Sequence, residues 1–144
     1  MSVAQPESPR PVLVDTDVFS RAYLPGQRLR DQDWVSLLFG RTIAVAVQTA
    51  VELRSGARMA HWGERRLAEL EALIGGVQVV PITDRVQAAY VDLTVWARAN
   101  SHAVQDKIHV GDRWIAATAL AWDLELASAD GLFVGVVGLR RLTI

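Results

Sequence analysis

Short apolar runs alternate along this chain with longer segments of helical periodicity, and this alternation restricts the fold more than any other feature. The predicted strands are 12–14, 42–47, 77–81 and 124–128. The predicted helices are 16–23, 31–39, 49–59, 63–74, 83–100 and 110–122. Parallel strands need crossovers of about a dozen or more residues, commonly a helix. We therefore predict an α/β domain with three layers, α/β/α, around a mostly parallel central sheet of four to five strands.

The ends of the chain are interpreted separately. Residues 1–11 contain three prolines and no apolar stretch of signal-peptide length, so we expect a flexible N-terminus followed by a single domain over residues 12–144. Residues 132–144 are predicted to form a short helix or turn and a final strand. No segment reaches about 18 uninterrupted apolar residues, and we expect a cytoplasmic protein without membrane contact.

Composition excludes several kinds of site. The absence of cysteine excludes disulfide scaffolds, thiolate zinc sites and a cysteine nucleophile. His61, His102 and His109 do not have metal-ligand spacing. The net charge of -1 is not the strongly basic balance that predicts nucleic-acid binding. All basic residues but Lys107 are arginine, which suits phosphate contacts, but a biased genome composition would produce the same count.

Four acidic residues fall where predicted strands pass into helices or turns. Asp15 directly follows the first strand, and Glu52 lies near the start of the helix after the second. Asp112 stands at the start of the 110–122 helix, and Asp130 follows the fourth strand. Sites in open parallel sheets lie beyond the carboxyl ends of the strands, so we expect these acids to converge there. Four like charges can coexist at one place only with a cation or with raised pKa values.

Each acid also has a purely structural explanation. Asp15 and Asp112 could cap helices, and Asp17 lies in a first turn where the helix dipole stabilises a carboxylate. Glu52 could be a solvated helix residue, and Asp130 a turn residue. A carboxylate on an apolar stripe must be paired, capped or metal-bound. Asp112 is predicted to lie on such a stripe, formed by Ile108, Ile115, Ala116 and Ala119.

Oxygen ligands favour a hard divalent ion, Mg or Mn, and such ions commonly serve phosphate chemistry. Asp15 and Asp112 are predicted to hold one ion, and Glu52 and Asp130 to hold a second ion or to position the attacking water. The predicted hydroxyl ligands, or hydrogen-bond donors to the ligands, are Thr16 and Ser128. Arg54 and Arg113 lie near these acids and could contact phosphate or form ion pairs.

These segments together resemble the PIN-domain nucleases, specifically the small bacterial toxin ribonucleases called VapC. The matching segments are 12–17, 49–53, 111–119 and 128–130. Each is weak alone, and their ordered set is fairly specific and extends from about residue 12 onward. The resemblance implies a metal-dependent endoribonuclease that acts on structured RNA. It also implies a homodimer that is inhibited by a cognate antitoxin covering or entering the acidic site.

Three other interpretations remain open at this point. The first is a PIN nuclease that is not a toxin, and the second is a PIN module that binds RNA or a protein without catalysis. The third is a haloacid-dehalogenase-type phosphatase, for which Asp15 and Asp17 would be the paired aspartates, Lys107 the lysine and Asp112 the late acid.

Overall fold

The computed structural model describes residues 10–24 and 31–144, in which strands and helices alternate as the sequence predicts. The strands are β1 (Val12–Val14), β2 (Ile43–Ala46), β3 (Gln78–Val80), β4 (Glu125–Ala127) and β5 (Arg141–Leu142). The α-helices are α1 (Thr16–Tyr23), α2 (Gln32–Leu38), α3 (Val47–Met59), α4 (Glu64–Gly75), α5 (Asp84–Ala99) and α6 (Val110–Trp122). Short 3₁₀ helices cover Ala103–Gln105, Lys107–His109 and Gly131–Phe133.

The five strands form one sheet in the order β3-β2-β1-β4-β5. All four pairings between these strands are parallel, and Leu13 of β1 is in register with Ala44 of β2 and Leu126 of β4. The chain extends the sheet on one side of β1 and then returns to extend it on the other. The junction between β1 and β4 is therefore the topological switch point, where open parallel sheets bind their ligands.

Helices cover both faces of the sheet, which confirms the three-layer prediction. Val12 and Val14 pack into one core with residues of α1, α2, α3 and α4. Leu13 points to the opposite face and belongs to a second core with residues of α5 and α6. This division follows from the strand itself, because successive side chains point to opposite faces. All three side chains of β1 are fully buried, as expected for a central parallel strand.

Side-chain caps fix where several helices begin. The Asp15 carboxylate accepts a 2.8 Å hydrogen bond from the Val18 amide and so caps α1 directly after β1. Thr83 caps α5 in the same way by accepting from the Val86 amide. α6 ends at Trp122 and is followed by Asp123, whose φ of 50° lies in the left-handed region. The cap at Asp15 places the first predicted site residue at the carboxyl edge of the sheet.

The structure differs from the sequence-based expectations in two details. Ile108 does not share the buried stripe of Asp112, because it lies in a 3₁₀ turn before α6 and is 84% exposed. Helix α3 begins at Val47, two residues earlier than predicted, and therefore follows β2 directly. The turn predicted in the last segment is the 3₁₀ helix at Gly131–Phe133, and the predicted final strand is β5.

The expected flexible N-terminus falls mainly outside the described residues, which begin at Arg10. Arg10 itself is attached to the fold through an ion pair with Asp123 at the end of α6. No helix within residues 10–24 and 31–144 is long and apolar enough to span a bilayer.

Candidate active site

A cavity of about 560 Å³ opens beyond the carboxyl ends of β1 and β4, at the switch point of the sheet. The structure brings Asp15, Glu52, Asp112 and Asp130 together in its wall. The cavity is lined by Asp15, Thr16, Asp17, Ser20, Arg21, Glu52, Asp112, Ile115, Ala129 and Asp130. Five of these ten residues are acidic, so the cavity favours cations.

Asp15 is the most buried of these acids, with only 6% of its surface exposed. Burial raises the pKa of the Asp15 carboxyl above its ordinary value. Hydrogen bonds from Ser128 and from the Val18 amide lower this pKa, and repulsion by Asp17 and Asp112 raises it, with burial the largest effect. A carboxylate that is both desolvated and repelled by its neighbours is stabilised when a cation binds beside it.

Hydrogen bonds hold both oxygens of Glu52. Thr16 donates from Oγ1 to Glu52 Oε2 over 2.6 Å, and Gln48 donates from Nε2 to Oε1 over 2.8 Å. The Thr16 hydroxyl also lies 3.1 Å from the Thr49 hydroxyl. The Glu52 carboxylate is therefore fixed between α1 and α3, and Thr16 acts as a donor to a predicted site residue.

Asp112 lies in the first turn of α6 but does not cap the helix, which begins two residues earlier at Val110. His109 Nδ1 lies 3.2 Å from Asp112 Oδ2. Burial raises the pKa of Asp112, the hydrogen bond to His109 lowers it, and repulsion by Asp130 and Glu52 raises it further. His109 was not predicted as a partner of Asp112, although the two residues are three positions apart at the start of a helix, a spacing at which side chains can meet.

Gly111 allows α6 to approach α3 closely at the cavity. A Cβ atom at this position would lie 2.7 Å from Glu52 Oε1 and 2.9 Å from Gln48 Nε2. Both distances are shorter than a carbon atom tolerates, so any larger residue would displace the Glu52 carboxylate or the Gln48 amide. The glycine beside Asp112 thus sets the distance between two of the acidic residues.

Asp130 combines turn chemistry with a place in the cavity wall. Its Oδ1 accepts a 2.9 Å hydrogen bond from the Leu132 amide and caps the 3₁₀ helix at Gly131–Phe133. The amide of Asp130 donates a 3.0 Å hydrogen bond to Oγ of Ser128, which is fully buried. Ser128 therefore contacts Asp15 and the Asp130 loop at once.

The arginines that the sequence places near the acids do not line the cavity. Arg54 forms an exposed ion pair with Glu71 of α4. Arg113 is 6% exposed, and its guanidinium donates to the Thr94 hydroxyl and to the Asp106 carbonyl. Both therefore have structural partners instead of an exposed face toward the acids.

Among the described residues, Arg21 is the one cation that lines the cavity, and the sequence did not single it out. Its Nε lies 3.1 Å from Asp17 Oδ2, one helical turn back on α1. Lys107, by contrast, does not line the cavity, and Asp112 lies inside a helix instead of at a strand end. The phosphatase interpretation therefore lacks its lysine and the placement of its late acid.

The donor set fits a hard divalent cation. All the predicted ligand atoms are oxygens, and repulsion by neighbouring carboxylates raises the pKa of both Asp15 and Asp112. Within the described part of the chain, no group of three acidic or histidine side chains is already positioned to hold an ion directly. Binding would therefore draw the carboxylates together.

Comparison with known families assigns the fold. The family model described as the PIN domain matches residues 12–138, from β1 to shortly before β5. The chain belongs to the PIN domain family. Nuclease activity is the general function of PIN proteins, and PIN nucleases generally use divalent metals. The acidic cavity lies within the matched range.

Individual PIN relatives agree with this assignment. Toxin FitB of Neisseria gonorrhoeae is 26% identical over 125 residues, which cover 83% of this chain and 87% of FitB. The crystal structure of FitAcB from Neisseria gonorrhoeae superposes with a TM-score of 0.71 at 24% identity, covering 91% of this chain and 96% of that one. DNA-bound VapBC from Salmonella typhimurium gives a TM-score of 0.75 at 19% identity, covering 92% and 97%. The two solved structures show that the fold is shared.

Proposed function

We propose that this PIN protein is a metal-dependent endoribonuclease that hydrolyses phosphodiester bonds of structured RNA. The observation that carries the proposal is the buried Asp15 carboxyl, which lies in a cavity with four further acids at the switch point of the sheet. Such a cluster is costly to desolvate unless a cation neutralises it. The family supports nuclease chemistry as the use of that cation.

The metal-binding roles are assigned to the four acids that the sequence singles out. Asp15 and Asp112 would hold a first Mg or Mn ion, and Glu52 and Asp130 a second ion or the attacking water. A bound ion of this kind lowers the pKa of water and stabilises the charge that develops on phosphate oxygens. Asp130 is the most exposed of the four and is suited to contact water.

The remaining polar residues of the site act by orienting these acids. Thr16 and Gln48 hold the two oxygens of Glu52, and His109 holds one oxygen of Asp112. Ser128 contacts Asp15 from the end of β4. Groups that bind metals work best when neighbouring hydrogen bonds fix their rotamers. These hydrogen bonds would therefore limit how far the carboxylates must move when an ion binds.

We further propose that the protein is the toxin of a toxin–antitoxin pair, with a cognate antitoxin as partner and a homodimer as its own assembly. The support is the likeness to Toxin FitB over most of both chains and to the solved structures of VapBC and FitAcB. The antitoxin would cover or enter the acidic cavity. A small gene beside this one that encodes a protein able to block its activity would support this assignment.

The test is cleavage of total bacterial RNA by the wild-type protein and by Asp112→Asn, with Mg, with Mn and with EDTA. We expect defined fragments only from the wild type with metal. Asp84→Asn is the matched control, because Asp84 is also a first-turn acid and lies outside the cavity. This variant should cleave like the wild type.

Three outcomes would contradict the nuclease proposal. Cleavage by Asp112→Asn at the wild-type rate would show that the acidic cavity is not the site of RNA cleavage. Release of phosphate from a monoester by a wild-type protein that leaves RNA intact would favour the phosphatase interpretation instead. A folded wild type that shows neither activity on any RNA fraction would favour an interaction module.

A further inference from the structure

Arg21 is the only cationic side chain among the described residues that line the acidic cavity. It projects from α1, and its side chain is 47% exposed. The other charged groups of the wall are the five carboxylates. Arg21 therefore supplies the only fixed positive charge that the described wall offers to an anion.

The ion pair with Asp17 holds this guanidinium at the edge of the cavity. The two residues are four positions apart on α1, and the contact runs from Arg21 Nε to Asp17 Oδ2. Exposed pairs of this kind contribute little to the stability of the fold. A guanidinium has five N–H donors, so its terminal nitrogens can bind an oxyanion while Nε keeps its contact.

An RNA backbone that enters the cavity meets a strong negative potential from these acids. A cation bound among Asp15 and Asp112 would offset this repulsion for the phosphate being cut, but the adjoining phosphates lie further from it. A fixed positive group at the rim lowers the electrostatic cost of binding one of them. The planar guanidinium matches the geometry of a phosphate better than other cationic side chains do.

We propose that Arg21 binds a backbone phosphate of the RNA next to the bond that is cleaved, with Asp17 fixing the position of its guanidinium. This inference rests on the proposed ribonuclease function. Arg21 is a substrate-binding residue in this scheme and takes no part in the bond-breaking step. Its loss should therefore weaken binding of substrate and transition state equally, which raises KM and leaves kcat nearly unchanged.

The first measurement is steady-state cleavage of total bacterial RNA with Mg by wild type, Arg21→Gln and Arg21→Lys. We expect KM to rise about tenfold for Arg21→Gln, the loss typical of one charged hydrogen-bonded contact, while kcat changes little. Arg21→Lys should recover part of the affinity because it keeps the charge without the planar fork. Thermal denaturation of each variant verifies that the fold is intact.

The second measurement is binding of a fluorescein-labelled RNA hairpin, followed by anisotropy at several KCl concentrations in an Asp112→Asn background. Removal of one phosphate contact should reduce the slope of log Kd against log salt by roughly 0.7–0.9. The matched control is Arg65→Gln, because Arg65 forms the same type of i,i+4 pair with Glu69 on α4, away from the cavity. It should leave Kd, KM and the salt slope unchanged.

The outcomes separate this inference from the function on which it rests. If the wild type cleaves RNA with metal and Arg21→Gln keeps the wild-type KM and salt slope, the nuclease stands and the role of Arg21 is overturned. An equal loss in Arg65→Gln would also overturn it, because the effect would then be nonspecific. If the wild type neither binds nor cleaves RNA, both proposals fall.

Discussion

The Thr16 hydroxyl donates a 2.6 Å hydrogen bond to Glu52 Oε2 and thereby joins the first turn of α1 to α3 across the cavity. The two residues are far apart in sequence and meet because β1 and β2 are neighbours in the sheet. Because these strands are parallel, the helices that follow them both begin at the carboxyl edge of the sheet. The hydroxyl donor on α1 and the carboxylate on α3 thus act as one unit.

Thr16→Val should lower the rate of RNA cleavage about tenfold, the scale on which hydrogen-bond partners of metal-binding groups act. The substitution keeps the shape of the side chain but removes the donor to Glu52. The free energy of unfolding should fall by about 0.5–1.5 kcal/mol. Urea unfolding and RNA cleavage measure the two effects.

Thr118→Val is the control for this substitution, since the Thr118 hydroxyl donates a hydrogen bond to the Trp114 carbonyl within α6. Equal cleavage rates for the two variants would refute the role of Thr16.

Gly111→Ala should abolish most activity while the protein stays folded. The new Cβ would lie 2.7 Å from Glu52 Oε1 and 2.9 Å from Gln48 Nε2, and both atoms end flexible side chains that can move aside. Displacement of a catalytic carboxylate by about 1 Å can cost about 100-fold in rate. RNA cleavage and thermal denaturation are the measurements.

Gly56→Ala is the matched control for that substitution. Gly56 lies in α3 with open space around its Cβ position. Alanine is the better helix former, so this variant should gain roughly 0.5–1 kcal/mol of stability and keep its activity. Full activity of Gly111→Ala would show that the close approach of α6 and α3 does not matter for Glu52.

His109→Ala should raise the Mg concentration that gives half-maximal cleavage about tenfold, because partners of metal ligands act on affinity at this scale. The substitution removes the hydrogen bond to Asp112 Oδ2 and lets that carboxylate rotate. The measurement is the cleavage rate against Mg concentration. The control is His61→Asn, since His61 is exposed at a φ of 56° that asparagine tolerates. An unchanged Mg dependence in His109→Ala would contradict the prediction.

The stability of the metal-free protein should fall as pH rises through the folded-state pKa of Asp15. Burial raises that pKa above its ordinary value of 3.8, so the folded state binds more protons than the unfolded chain in this window. The stabilisation is fully present below the unfolded value and is lost as pH rises through the folded one. Added Mg should oppose the loss by favouring the carboxylate form.

Urea unfolding in EDTA over a pH series measures this effect. Asp15→Asn keeps a good capping residue for α1 but removes the titration. The variant should therefore lack the contribution of Asp15 to the pH dependence and should exceed the wild type in stability at neutral pH. Parallel curves for the two proteins would show that Asp15 does not titrate differently on folding.

The strands and helices of the fold were predictable because the hydrophobic period and the length of each segment are local properties of the sequence. β1 and α6 have clear apolar patterns, and parallel connectivity follows from the alternation alone. The position of Asp15 was predictable for the same reason, since it directly follows a buried strand. Ile108 was wrongly placed because the helical period was extended through a 3₁₀ turn that precedes α6.

The hydrogen-bond partners in the site were less predictable because they depend on tertiary distances. Gln48 reaches Glu52 only because α3 begins at Val47, earlier than propensity indicated. The contact of His109 with Asp112 depends on where α6 starts. The Arg21–Asp17 pair was visible as an i,i+4 pattern, but only the folded chain shows that it borders the acids.

Asp15 has both a structural role and a place in the acidic cavity, and the structural role affects how this position changes as the gene evolves. One oxygen of this side chain caps α1, whereas the residue also lines the cavity. Selection for a folded protein therefore favours an acid or amide here even after the chemistry is lost. In a gene copy that has lost activity, neutral substitutions should accumulate first at Asp112 or Glu52, which cap no helix. At Asp15, replacement by asparagine should precede replacement by alanine. An aspartate at this position alone is thus weak evidence that a homologous gene still encodes an enzyme.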